Sequence, residues 1–332
     1  MRMMLSALAG AAGLALMAFQ PAHADCGRVT IADMNWASAE FAAYIDKFIL
    51  EEGYGCEVEL VPGDTMPTAT SMMEKAEPDI APELWINAVR TALDRAVDEG
   101  RLVYAAEILK DGGEEGWWIP DYIAEANPDI KTVEDALARK DLFPNPEDED
   151  MGAFYGCPAG WNCQLTTANL FRAYDAEAKG FELVDPGSAA GLDGSISKAY
   201  ERKQGWIGYY WAPTSILGKY PMTKLDFGVP HDADHWNSCT ALADCAEPKK
   251  NSWPKSEVYT VVTPRFAKAS PEGMAYLKKR GWSNKVANEV LAYMADNNYT
   301  GEDGALYFLE KYPSLWETWV SPEVAAKVKG AL

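Results

Sequence analysis

The strongest constraint on what this chain can fold into is an alternation of strand-like and helix-like segments over residues 28–110. Residues 28–32 read as a strand. Residues 39–52 read as a helix, with Phe41, Ile45, Phe48 and Ile49 on one face. A second strand at 57–61, a Met-rich helix at 65–75, a short strand at 79–85 and a helix at 87–99 follow. Pro82 lies in the third strand segment and marks it as a strand end. Strands separated by helices form a parallel sheet covered by helices, so this region is expected to be a βα unit of that kind.

The pattern changes at Asp111-Gly112-Gly113. A new unit follows, with strands expected at 152–157 and 207–211 and helices at 133–140, 166–174 and 195–203. From about residue 225 the chain returns, with a strand at 258–263 and helices at 271–279, 284–297 and 304–311. The expected architecture is α/β with two lobes and a cleft between them. Lobe 1 is discontinuous, 25–112 plus 226–332, and lobe 2, 113–225, is inserted into it.

The first 24 residues read as a secretory signal peptide. Arg2 supplies a positive start, residues 3–19 are apolar, and Ala22-His23-Ala24 is a small-x-small cleavage site. A membrane anchor is the alternative; Pro21 and the Ala-x-Ala flank favour cleavage after Ala24, leaving a protein with no membrane insertion. The formal net charge of −20 argues against nucleic acid and anionic membranes as partners. In an exported chain, six cysteines read as disulfides. Local spacing pairs Cys157 with Cys163 and Cys239 with Cys245. Cys26 and Cys56 remain, each opening a strand-like run, and neighbouring parallel strands would bring those starts together. Zinc is the weaker reading, because no Cys-x-x-Cys occurs and only His231 and His235 follow residue 24.

Enzyme signatures are missing: there is no phosphate-binding loop, dinucleotide fingerprint, G-x-S-x-G or H-E-x-x-H. His231 and His235 sit in an acidic, loop-like segment, which leaves no candidate nucleophile and base. No enzyme activity and no cofactor are expected. The run Glu147-Asp148-Glu149-Asp150 lacks the spacing and turn glycine of a calcium loop and reads as a solvated acidic loop.

Tryptophan carries the functional signal. Twelve occur in the sequence, and several fall just beyond strand ends, where ligands bind in open α/β sheets. Trp36 follows the first strand, Trp85 ends the third, and Trp117 and Trp118 lie at the first crossover. Trp161 sits between Cys157 and Cys163, and Trp211 ends its strand. Indole faces attract cations, at roughly 0.5–2 kcal/mol each. A quaternary ammonium spreads its charge over methyl groups and donates no conventional N–H hydrogen bond, so an aromatic cage suits it. For any single Trp, core packing is the alternative; Trp282, Trp316 and Trp319 are read that way. Sugar binding also uses indole faces.

These residues resemble those of the periplasmic glycine betaine/proline and choline-type substrate-binding proteins of ABC importers. The most specific part is Cys157-Pro-Ala-Gly-Trp161-Asn162-Cys163, similar to the family loop in which a disulfide braces a cage Trp. Gly208-Tyr-Tyr-Trp211-Ala-Pro213, Asp33-Met-Asn-Trp36 and Leu84-Trp85 are similar to other cage segments. The resemblance implies a two-lobe periplasmic-binding-protein fold of type II, a venus flytrap with the ligand cleft between its lobes, and a small trimethylammonium ligand handed to the permease subunits. It implies a cage of Trp36, Trp85, Trp161 and Trp211, with Trp117 or Trp118 next, and backbone donors at Asn162 and Cys163. It also implies location in the periplasm of a Gram-negative-type cell. Three positions depart from the family pattern: Val89 stands where some betaine binders have His, Asn162 where Gly is frequent, and Ser38 where choline-type members have Asp. Glu114 and Glu115 lie beside Trp117. A carboxylate there repels a betaine carboxylate but bonds a hydroxyl or a protonated N-oxide. The expected ligand is therefore trimethylamine N-oxide or glycine betaine, with choline next. Rival expectations are a sugar- or amino-acid-binding protein and a secreted enzyme.

Overall fold

The structure, a computed structural model, describes residues 26–332; the expected signal peptide lies outside them. The strands in chain order are β1 (Arg28–Met34), β2 (Glu57–Gly63), β3 (Ile80–Trp85), β4 (Val103–Glu107) and β5 (Glu114–Pro120). They continue with β6 (Gly152–Tyr155), β7 (Phe181–Val184), β8 (Gly208–Ala212), β9 (Met222–Lys224) and β10 (Val258–Val262). They form two five-stranded sheets, ordered β2-β1-β3-β10-β4 and β7-β6-β8-β5-β9.

β1 runs parallel to β2, with Arg28 opposite Glu57, and parallel to β3. The expectation of an all-parallel first sheet needs correcting. β10, the segment that returns after the second sheet, lies antiparallel to both β3 and β4 and separates them. Strands β1 to β4 still point one way, as helical crossovers require. Pro82 is also not at a strand end. It lies inside β3, all six residues of which are buried. β10 accommodates it with a register shift between Tyr259 and Val261, and the Pro82 carbonyl accepts a bond from Thr260 Oγ1 at 2.8 Å.

Two helix starts differ from expectation in ways that matter for the cleft. The helix expected from 87 begins at Arg90, because Asn87 is engaged elsewhere. Its side chain donates to Ser256 Oγ at 3.0 Å, and its carbonyl accepts from Trp236 Nε1. The helix expected from 166 begins at Asn162, with Trp161 as its extended N-cap residue.

The cysteines pair as Cys26–Cys56, Cys157–Cys163 and Cys239–Cys245. The first joins the starts of β1 and β2, whose register leaves the two Cα atoms 5.0 Å apart. Trp282, Trp316 and Trp319 are buried in the core beside the first sheet; Trp282 stacks on Phe41 with ring centroids 4.9 Å apart. Among the described residues no helix is long and apolar enough to cross a membrane.

Candidate ligand site

Two residues of β8, Tyr209 and Trp211, stand two positions apart and so share a face of the strand. Their rings lie nearly parallel, 6.2 Å between centroids. Together with Trp36, Thr65, Trp85, Glu115, Trp161 and Asn162 they line a pocket between the sheets with about 250 Å³ of empty space, its mouth included.

Each wall is set by the end of a regular element. Trp36 is the N-cap residue of helix Ala37–Phe48 just after β1, and Trp85 is the last residue of β3. Trp161 is held in the small loop closed by Cys157 and Cys163, after a left-handed turn at Gly160. Its ring meets Trp36 edge-on at 5.3 Å and Trp211 edge-on at 5.0 Å. Trp85 needs a bare backbone beside it: a Cβ on Gly113 would lie 2.2 Å from its ring.

Several indole N–H groups are satisfied by acceptors built into the protein. Trp36 and Trp85 both donate to Glu83 Oε1, at 2.8 and 3.1 Å, and Trp161 donates to Asn35 Oδ1 at 2.7 Å. Satisfied N–H groups keep the rings fixed, which is what a cation-holding surface needs.

The pocket also contains a carboxyl group. Glu115 is buried; its Oε1 accepts from the Tyr209 hydroxyl at 2.9 Å and its Oε2 from the Ser256 hydroxyl. Burial pushes its carboxyl above the ordinary range, against the pull of bonds from Ser256, Tyr209 and Trp253. Glu114, its neighbour, points the other way, since successive strand residues face opposite sides. Its side chain is 56 % exposed and pairs with Lys224 at 3.1 Å. No Lys, Arg or His is among the residues that line the pocket. Asn162 donates its side-chain amide to the Trp85 carbonyl at 2.8 Å. As the first residues of a 12-residue helix, Asn162 and Cys163 have backbone N–H groups without an intrahelical acceptor.

Of the sequence-derived candidates, Trp36, Trp85, Trp161, Trp211, Asn162 and Glu115 come together here. Trp117, Trp118 and Cys163 do not line the pocket. Trp117 lies on the same side of β5 as Glu115, but one strand period deeper. It packs among Phe154, Phe227 and Tyr174, with the nearest ring centroid 4.5 Å away. Trp118 donates its N–H to the Tyr210 carbonyl at 3.0 Å. Cys163 is buried in its disulfide. Sequence reasoning missed Thr65, Tyr209 and Glu83. A signal was present for two of them: Tyr209 and Glu83 each stand two residues before a cage Trp on a strand, hence on the same face.

Residues 27–311 match the family described as OpuAC, the substrate-binding domain of ABC-type glycine betaine transport systems. Among solved structures, the chain is similar to an ABC-transporter choline-binding protein in complex with choline. The TM-score is 0.70 at 20 % identity, covering 92 % of this chain and 98 % of that one. It is similar also to the glycine betaine/L-proline-binding protein ProX of Borrelia burgdorferi, with TM-score 0.70, 17 % identity and 91 % and 99 % coverage. A third is lactococcal OpuAC in its closed form complexed with glycine betaine, with TM-score 0.66, 18 % identity and 89 % and 100 % coverage. The two-sheet architecture of these proteins is the two-lobe periplasmic-binding-protein fold, and the chain belongs to the family of substrate-binding domains of ABC-type glycine betaine transport systems.

Proposed function

We propose that this protein binds a small trimethylammonium osmolyte in the Trp36, Trp85, Trp161 and Trp211 cage and delivers it to an ABC permease. Trimethylamine N-oxide or glycine betaine is the first choice of ligand and choline the next. The observation that carries this reading is the lining: indole and phenol rings around one buried carboxyl, with no cationic side chain among the lining residues. Such walls favour a methylated cation through cation–π attraction and apolar burial. An amino acid's ammonium carries N–H donors that call for several acceptors around it, and a sugar calls for many polar side chains; the mostly aromatic walls of this pocket supply neither.

Binding is reversible and needs no covalent step. Residues from both sheets touch the same small volume, so a ligand there stabilises the closed arrangement that a permease can recognise. The oxygen end of the ligand is assigned to Glu115 and the start of the helix at Asn162, whose N–H groups and dipole favour a partial negative charge. Glu115 favours the N-oxide over betaine, because a protonated carboxyl can share its proton with an N-oxide oxygen, whereas a betaine carboxylate meets a second carboxyl. Residues 1–24 acting as a cleaved leader and delivery from the periplasm complete the proposal; a rival secreted enzyme would turn its ligand over. Calorimetry against trimethylamine N-oxide, glycine betaine, choline, carnitine and dimethylsulfoniopropionate tests the assignment. Binding of a sugar or an unmethylated amino acid in place of all five would overturn it.

A further inference from the structure

Behind the cage, Glu83 occupies the middle of a strand in which every other residue is also buried. Its side chain is fully buried, and Oε1 alone accepts three hydrogen bonds, from Trp36 Nε1, Trp85 Nε1 and Ser38 Oγ at 2.8, 3.1 and 2.7 Å. Among the described residues Oε2 accepts none. The nearby buried cation, Arg280, directs its bonded nitrogen to Asp46 Oδ2 at 2.6 Å and to the Pro82 carbonyl. Glu83 is thus in no direct ion pair; burial pushes its carboxyl up, and the N–H edges of two cage rings, one hydroxyl and the more distant charge of Arg280 pull it back towards the ionised form.

A buried acid is costly where a neutral acceptor would serve. Fixing the tilt of Trp36 and Trp85 requires only an acceptor oxygen, which an amide also offers. A carboxylate does something further. An indole that donates its N–H to an anion gains electron density in its ring, and the negative potential of the ring face is what holds a cation. The carboxylate also adds its own field in a region without water to screen it.

We propose that Glu83 is a positioning residue that acts on the ligand through Trp36 and Trp85, holding both rings and making their faces more attractive to full cations. This rests on the cage assignment above. The test uses Glu83→Gln, with calorimetry against two probes, tetramethylammonium and trimethylamine N-oxide, and ¹⁵N-tryptophan spectra of both proteins. Tetramethylammonium carries a whole unit charge, whereas the N-oxide carries none overall. Charge acting through the rings therefore predicts a loss of about tenfold or more for tetramethylammonium and a several-fold smaller loss for the N-oxide. Two indole N–H resonances should also move upfield. Equal losses for both probes would reduce Glu83 to a structural bracket and overturn the proposal, as would an unchanged tetramethylammonium affinity. If the wild type binds neither probe, the cage assignment itself fails. Should Glu83→Gln not fold, Glu115→Gln, which removes the other buried carboxyl at the pocket, is titrated with tetramethylammonium from neutral to acidic pH: an affinity that falls several-fold with acid supports the proposal, and an unchanged affinity overturns it.

Discussion

The indole N–H of Trp161 donates to Oδ1 of Asn35 at 2.7 Å, tying the loop after β6 to the loop after β1. Two more bonds cross the same gap: Met66 N–H to the Gly160 carbonyl at 3.0 Å and the Asn162 amide to the Trp85 carbonyl at 2.8 Å. All three join residues at or just beyond strand ends of one sheet to the segment after β6 in the other, so they describe a shut cleft. Trp161 is both a wall of the pocket and part of its latch. Trp161→Ala is expected to weaken ligand binding by about 1–3 kcal/mol through lost cation–π attraction and burial. Asn35→Ala, which keeps the Trp161 ring but removes the acceptor for its N–H, should cost about 1 kcal/mol. Calorimetry on both variants checks the order; wild-type affinity in Trp161→Ala would place the cage elsewhere.

Glu115 and Glu114 separate the pocket carboxyl from its exposed neighbour. Burial holds the Glu115 carboxyl above the ordinary range, so it keeps its proton to higher pH than a solvated Glu. A shared proton then gives tighter N-oxide binding on the mildly acidic side, weakening as pH rises and the carboxyl ionises. Glu115→Gln should remove this pH dependence and harm N-oxide binding more than betaine binding. Glu114→Gln, at a side chain already exposed and paired with Lys224, should change neither. Titrations at two pH values decide the matter, and a flat N-oxide response in the wild type would count against proton sharing.

Gly113 makes room for Trp85. A Cβ there would lie 2.2 and 2.4 Å from two carbons of the indole ring, too close for the ring to stay. Gly113→Ala should displace Trp85 and lower affinity by about tenfold, a loss of roughly 1.4 kcal/mol, with a smaller effect on thermal stability. Retained affinity would show that Trp85 can retreat without loss to the cage.

Asp33, at the end of β1, titrates unusually. Burial first, and the charge of Glu40 second, push its carboxyl up to about 6, and its Oδ1 has no hydrogen-bond partner among the described residues. A carboxyl whose folded value is raised favours the folded state below its ordinary value, and that stability is lost as pH rises through about 6. Asp33→Asn escapes the loss. Discounted for the partly exposed position, it should gain about 1 kcal/mol at pH 7, or roughly 2–4 °C in Tm. The gain should vanish near pH 4. A melting series across pH measures both ends, and an equal gain at pH 4 would contradict the explanation.

Much of the fold was legible because it rests on local periodicity. The alternation over 28–110 identified β1, β2 and β3 and the direction in which they run, because a helix between strands returns the chain parallel. The spacing of the cysteines was informative for a similar reason: six-residue loops and adjacent strand starts leave few partners within reach. Where β10 inserts was not legible, since a strand's neighbours depend on which edge remains open after the rest has assembled. β9, of three residues, was missed for lack of length, and β4 and β7 were missed although β8 and β6, which are no longer than they are, were expected.

By itself the sequence determined that Trp36, Trp85, Trp161 and Trp211 stand at or just after strand ends, which is where ligands bind in open α/β sheets. Only the tertiary structure decided which aromatic residues share a pocket. Trp117 and Glu115 lie on one face of β5, yet Glu115 enters the pocket while Trp117 is closed in by Phe154, Phe227 and Tyr174. It also decided that Glu83 joins the indole of Trp36, which follows β1, and that of Trp85, which ends β3, through a single oxygen. The physical reason is range. Periodicity reports which face a residue takes, a property of its own few neighbours. How far along that face the cleft extends, and which partners meet there, depends on contacts between segments more than a hundred residues apart, such as Trp161 with Asn35.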